Sequence, residues 1–173
     1  RDNFEKALGC YEKTIRLEPR DAAAWFGKGE SLRGLGRYQK AIECLEKTIK
    51  LESTNTAAWF GKADSQRMLG QFDQAVRSFD KVIKLDSENV AAWLGKAESL
   101  RSQGRHERAV EAFDATITLE QKSVSAWFGR GESLRSLNRF EDSLGCYEKA
   151  IKLDGKQDGA WFGHAESLSS LRA

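Results

Sequence analysis

At 173 residues, with 40% hydrophobic and 31% charged residues, the chain can bury a core, and a single proline beside five tryptophans argues against a disordered tail. Its 28 basic and 26 acidic side chains leave a formal net charge of +2, so no bulk field favours nucleic acid or a membrane surface. No apolar run approaches the roughly 20 residues of a membrane span, Arg1-Asp2-Asn3-Phe4 has no signal-peptide features, and Cys10, Cys44 and Cys146 lack the spacing of a disulfide framework or zinc site, which favours a reducing, cytoplasmic compartment.

The chain opens with Phe4 to Leu17, where Leu8, Tyr11 and Ile15 recur at helical spacing. Asp21 then stands as an N-cap, able to accept a hydrogen bond from an orphan backbone N–H, before a helix containing Ala24-Trp25-Phe26-Gly27-Lys28-Gly29-Glu30-Ser31-Leu32. Gly36 suits a left-handed helix terminus. After it, Tyr38, Ala41, Ile42, Leu45, Ile49 and Leu51 fall by threes and fours on one face of a second, amphipathic helix. This unit recurs. Trp25, Trp59, Trp93, Trp127 and Trp161 are each 34 residues from the next, and Phe72, Ala75, Val76, Phe79, Ile83 and Leu85 repeat the second face. Asn55, Asn89 and Ser123 repeat the cap, and Gly70, Gly104 and Asn138 repeat the turn. The predicted division is a second helix alone over residues 1–21, complete repeats at 22–55, 56–89, 90–123 and 124–157, and a first helix alone over 158–173.

With these residues in place, the sequence resembles the tetratricopeptide-repeat family, whose signature runs Trp, two residues, Leu-Gly, two residues, Tyr, then Ala, three residues, Phe, and finally Pro. Trp25, Gly29, Ala41, Leu45 and the preceding Pro19 fall on the signature, whereas Lys28 stands where leucine is usual and Leu32 replaces the first helix's aromatic. The resemblance covers the whole chain. It implies an all-α fold, a right-handed α-solenoid of about ten helices in antiparallel pairs, as a piece of a longer bacterial or archaeal array. First helices would line a concave inner surface and second helices the convex outside. The implied function is a non-catalytic scaffold holding a protein or peptide segment in the concave groove. The alternative is a structural module stacking head to tail between molecules, through Leu8, Tyr11 and Ile15 at one end and Trp161, Leu168 and Leu171 at the other.

No enzyme, cofactor or metal site is expected, because the polar residues recur from unit to unit instead of converging. His106 and His164 lack partners, and Gly27-Lys28-Gly29-Glu30-Ser31 lacks phosphate-loop spacing. RNA binding draws on the arginine and aromatic columns but lacks a net basic face.

The groove candidates are Phe26, Phe60, Leu94, Phe128 and Phe162, which either grip apolar side chains of a ligand or pack against the neighbouring first helix. Four residues on comes an acid column of Glu30, Asp64, Glu98, Glu132 and Glu166, and three further on Arg33, Arg67, Arg101 and Arg135, broken by Ser169. Glu30 and Arg33 can pair for roughly 0.2–0.5 kcal/mol, and adjacent repeats can extend the pair into a ladder. Phe26 and Glu30 occupy two places where the family's carboxylate clamp carries basic and asparagine side chains, so no receptor of that type is expected. Gly27, Gly61, Gly95, Gly129 and Gly163 replace the asparagine ladder of some members. Each helical glycine costs about 1 kcal/mol relative to alanine, so space must be needed, either for a closely approaching ligand backbone or for neighbouring side chains. Lys28, Lys62, Lys96, Arg130 and His164 are expected to pair with Glu18, Glu52, Asp86, Glu120 and Asp154, ten residues before each, because a lone buried cation is too costly.

Overall fold

The computed structural model describes residues 2–172, which contain ten α-helices and no strand. The helices are α1 (Asp2–Leu17), α2 (Ala22–Gly34), α3 (Tyr38–Leu51), α4 (Thr56–Met68), α5 (Phe72–Leu85), α6 (Val90–Ser102), α7 (His106–Leu119), α8 (Val124–Ser136), α9 (Phe140–Leu153) and α10 (Asp158–Leu171). Two compact units divide them, residues 1–87 with α1 to α5 and residues 88–173 with α6 to α10. The fold is an all-α helical-repeat solenoid. In each unit the first helices of neighbouring repeats touch: α2 packs on α4, and α8 packs on both α6 and α10. Among the described residues no second helix packs directly on another in either unit, so within each unit the second helices stand apart from one another.

That division follows from side-chain distribution. On α5, Ala75, Val76, Phe79 and Val82 are buried while Asp73, Arg77, Asp80 and Lys81 are exposed, as one-sided packing requires. On α4 the buried residues are small or polar, Ala58, Gly61, Ala63, Ser65 and Gln66, because that helix meets α2, α3 and α5 at close range. The buried serines of the first helices are satisfied internally. Ser31, Ser65, Ser99, Ser133 and Ser167 each donate to the carbonyl four residues earlier, at 2.7–2.9 Å, so no hydroxyl of this column is orphaned in the core.

The turns match their sequence signals. Gly36, Gly70, Gly104 and Asn138 have φ of 74°, 71°, 72° and 58°. At the first of them Gly36 N–H donates to Arg33 O and Arg37 N–H to Leu32 O, both at 2.9 Å, the paired bonds of a Schellman stop. Asp21, Asn55 and Asn89 cap α2, α4 and α6 by accepting from Ala24, Ala58 and Ala92 at 2.9, 2.9 and 3.0 Å. Ser123 departs from the expectation. Its backbone is extended like the others, but its side chain makes no cap bond.

A tether invisible in the sequence holds the inter-repeat loops. The indole N–H groups of Trp25, Trp59, Trp127 and Trp161 donate to the carbonyls of Pro19, Ser53, Gln121 and Gly155, six residues earlier, at 2.9–3.1 Å. Each tryptophan fastens the loop that delivers its own helix and satisfies a carbonyl there.

The repeated glycines make room for rings and side chains of the preceding repeat. A Cβ on Gly27, Gly129 or Gly163 would lie 2.3, 2.3 or 2.5 Å from the ring of Tyr11, Phe113 or Tyr147. On Gly61 it would lie 2.7 Å from the Glu30 carboxylate and 3.2 Å from Leu45. The contacts come from the preceding repeat of the same chain, so the glycines require no ligand backbone. Among the thiols Cys10 is exposed, whereas Cys44 and Cys146 are buried, being covered by the first helices that pack on α3 and α9. Leu8 too is buried, and Tyr11 and Ile15 are half-buried, because α1 already lays that face on α2; only Phe4 and Leu17 are the exposed large apolar residues of α1.

Gly129→Ala is expected to destabilise the protein by roughly 1–3 kcal/mol through overpacking against Phe113. Gly145→Ala, on α9 with nothing within 4 Å of its would-be Cβ, should stabilise by about 0.5–1 kcal/mol. Urea denaturation of the two variants checks the contrast.

Candidate functional site

The charged columns form a ladder across the first helices of each unit. In the first unit Arg33 grips Glu30 bidentately, Nε to Oε1 at 3.0 Å and Nη2 to Oε2 at 2.8 Å, and its Nη1 reaches Asp64 on α4 at 2.9 Å. Arg67 joins the other oxygen of Asp64 at 2.7 Å. In the second unit Arg135 bonds Glu132 at 3.2 Å and reaches Glu166 on α10 at 2.8 Å. The hydrogen bond to Glu30, against the opposing pull of burial, holds the Arg33 guanidinium above its ordinary range. Unlike Arg33, the arginines Arg101 and Arg135 keep a buried Nε with no hydrogen-bond partner among the described residues.

One contributor was not evident in the sequence pattern. Tyr147, fully buried on α9, donates its hydroxyl to Glu132 Oε1 at 2.6 Å. Burial first, and then that hydrogen bond, push its pKa well above the ordinary value of 10.0. Arg135 Nη2 meets the other carboxylate oxygen, Glu132 Oε2, at 3.2 Å. The second helix's signature aromatic position, which Leu45 holds in its own repeat, is the signal that points to Tyr147.

The aromatic column lies beside the ladder. Phe26, Phe60, Leu94 and Phe128 are half-buried and Phe162 is exposed. Phe60 meets Phe79 edge-on with centroids 5.8 Å apart, and Phe128 sits 6.3 Å from Tyr147 while its ring also covers Gly159 on α10. The side chains therefore wedge between their own second helix and, at Phe128, the next first helix, leaving one edge open. The tryptophans point elsewhere. Trp25, Trp59 and Trp127 line clefts on the side of the second helices.

The cations beside the tryptophans choose partners other than those expected. Lys28 pairs with Glu12 at 3.1 Å, Lys62 with Glu46 at 2.7 Å, Arg130 with Asp114 at 2.6 Å, and His164 Nε2 lies 3.6 Å from Glu148 Oε1. Each acid lies 16 residues earlier, in the body of the preceding second helix, which runs antiparallel past the middle of the first. The acids ten residues earlier sit where the chain has left that helix, and Glu52 instead accepts from the Asn55 amide at 2.9 Å. Lys28, Lys62 and Lys96 hold their ammonium groups 5.9, 5.5 and 5.0 Å from the rings of Trp25, Trp59 and Trp93, a cation–π contact that keeps the stems on the indoles. Arg130 also donates to the Cys146 sulfur at 2.8 Å. Burial pushes that thiol's pKa up, and Arg130 partly opposes the shift.

Family models for the tetratricopeptide repeat match residues 1–58, 28–73 and 60–126, and a further one matches 124–157. The chain belongs to the tetratricopeptide-repeat family. Three solved structures share its fold. MamA from Desulfovibrio magneticus RS-1 superposes with a TM-score of 0.84 at 20% identity, covering 90% of this chain and 88% of its own. YrrB, described as a tetratricopeptide protein with an unusual peptide-binding site, gives 0.86 at 21%, covering 95% and 84%. TTC0263, a thermophilic tetratricopeptide protein from Thermus thermophilus, gives 0.67 at 16%, covering 95% and 90%. No curated protein matches the chain. A tetratricopeptide array is a protein-interaction scaffold, and such repeats are generally non-catalytic. No helix among the described residues is long and apolar enough to cross a membrane.

Because the folded pKa of Tyr147 is raised, its contribution to stability is fully present below the unfolded value of 10.0 and is lost as pH rises through and above it. Tyr147→Phe should cost about 1 kcal/mol near neutrality, the net worth of the lost hydrogen bond, and should flatten the alkaline decline seen in the wild type. Urea midpoints at neutral pH and just above the ordinary tyrosine range test both.

Proposed function

We propose that the scaffold holds an extended, weakly charged protein or peptide segment on the face of the first helices, the face that the family presents as its concave groove. The observation that carries this reading is, in each unit, a pair of half-open apolar side chains, Phe26 and Phe60 in the first and Leu94 and Phe128 in the second, alongside a ladder whose charges already answer one another. Three of the five N–H donors of the Arg33 guanidinium are engaged by Glu30 and Asp64, which leaves donors and carboxylate lone pairs for a peptide backbone but little net field for a charged side chain. Glu98 and Arg101, and the more exposed Phe162, belong to the proposed surface of the second unit. Apolar anchors set in the aromatic column would supply most of the affinity, and backbone hydrogen bonds to the ladder would set direction.

Selection from a random peptide library against the wild type and a Phe60→Ala, Phe128→Ala variant tests this. Apolar, low-charge sequences bound at least tenfold more weakly by the variant, with far-UV circular dichroism unchanged, are the expected result. Equal binding to both proteins would overturn it.

A second reading is association with another copy through α10, where Trp161 is 53%, Phe162 66%, Leu168 38% and Leu171 39% exposed, an unusual density of open apolar side chains on one helix. Sedimentation velocity over a concentration series should then show growth that Leu168→Glu with Leu171→Glu abolishes. A monomer at every concentration removes this reading.

A further inference from the structure

Three clefts recur on the opposite side, where second helices stand apart over a first helix. One lies between α1 and α3, about 490 Å³, with Trp25 in its lining beside Lys40 and Lys47. Another lies between α3 and α5, about 340 Å³, lined by Trp59, Arg77 and Lys81. The third, in the second unit between α7 and α9, is about 590 Å³ and is lined by Trp127, Lys122, Lys149 and Lys152. In all three, a tryptophan whose indole N–H is already bonded to a loop carbonyl supplies a flat apolar wall beneath basic side chains.

The charge balance of these clefts differs from that of the ladder. The first contains Lys28, Arg37, Lys40 and Lys47 against Glu12 and Glu43. The second contains Lys62, Arg77 and Lys81 against Glu46 alone, and the third contains three lysines and no acid. Lys28, Lys62 and Arg37 are matched by Glu12, Glu46 and Glu5. Lys40, Lys47, Arg77, Lys81, Lys149 and Lys152 enter no ion pair among the described residues, and Lys47, Lys81 and Lys149 occupy one repeat position. Each cleft thus keeps at least two uncommitted cations above an indole.

We propose that the second-helix side of each unit is a separate docking surface for an acidic peptide segment, whose carboxylates meet the uncommitted lysines and arginine while an intervening apolar side chain rests on the tryptophan. Charge complementarity selects the partner, and the recurrence of a tryptophan-walled cleft sets a ligand that places one anchor in each. Nucleic acid fits less well. Exposed Glu43 and Glu46 stand between the first two clefts, and they would repel an unbroken run of phosphates, whereas a peptide can space its carboxylates to pass them.

Fluorescence anisotropy tests the surface with three labelled probes: a Glu-rich peptide carrying interspersed leucines, its Gln-for-Glu counterpart, and an oligouridylate of similar length. The acidic peptide should bind at least tenfold more tightly than both others and lose that advantage in 0.5 M salt, about three times the ionic strength at which the Debye length is already near 8 Å. Lys47→Glu with Lys81→Glu and Lys149→Glu, all exposed positions, should abolish the preference. Phe60→Ala with Phe128→Ala should leave it intact, which separates this surface from the first-helix face. Equal binding of acidic and neutral peptides, a triple variant with wild-type affinity, or tighter binding of the oligouridylate would each overturn the proposal.

Discussion

How closely one helix pair can settle on the next depends on what the facing side chains allow, and here that distance is set by a ring or branched side chain laid over a glycine. Tyr11 on Gly27, Phe113 on Gly129 and Tyr147 on Gly163 approach so near that even a methyl group would collide. The loss of helix propensity at those glycines, about 1 kcal/mol each, is offset by burial of an aromatic side chain worth roughly 1.5–3 kcal/mol. The same approach brings first helices near enough for Arg33 to span α2 and α4, and for Arg135 to span α8 and α10.

The two sides of each unit consequently differ in chemistry. Where first helices touch, charges fall within reach of one another and cancel. Where second helices stand apart, lysines have fewer partners and the tryptophan wall is left accessible. A single packing rule thus produces one face with polar groups already matched and another with cations in reserve.

The repeat period, helix pairing, turn chemistry and three of four caps could be read from the sequence because each depends on residues close in the chain: Gly36 follows the helix it stops, and Asp21 precedes the helix it caps. The ladder was also legible, since spacing of three on a helix and 34 along the chain puts Glu30, Arg33 and Asp64 in reach. What failed was anything that depended on where antiparallel helices cross. Lys28 lies opposite Glu12 instead of Glu18, and sequence separation alone cannot decide between two acids on the same preceding segment. The reason for Gly27 likewise lay in Tyr11, on a different helix. Ser123 shows a local signal that the backbone obeys and the side chain does not.

The indole tethers have an evolutionary consequence. Each one closes on a carbonyl only six residues upstream, so the geometry of a junction is written within that junction and borrows nothing from distant repeats. Duplication or loss of a whole 34-residue unit therefore rejoins chemically equivalent ends, whereas a single-residue insertion between carbonyl and tryptophan puts the donor out of register. Growth by entire modules is the lengthening that this architecture tolerates without new compensation.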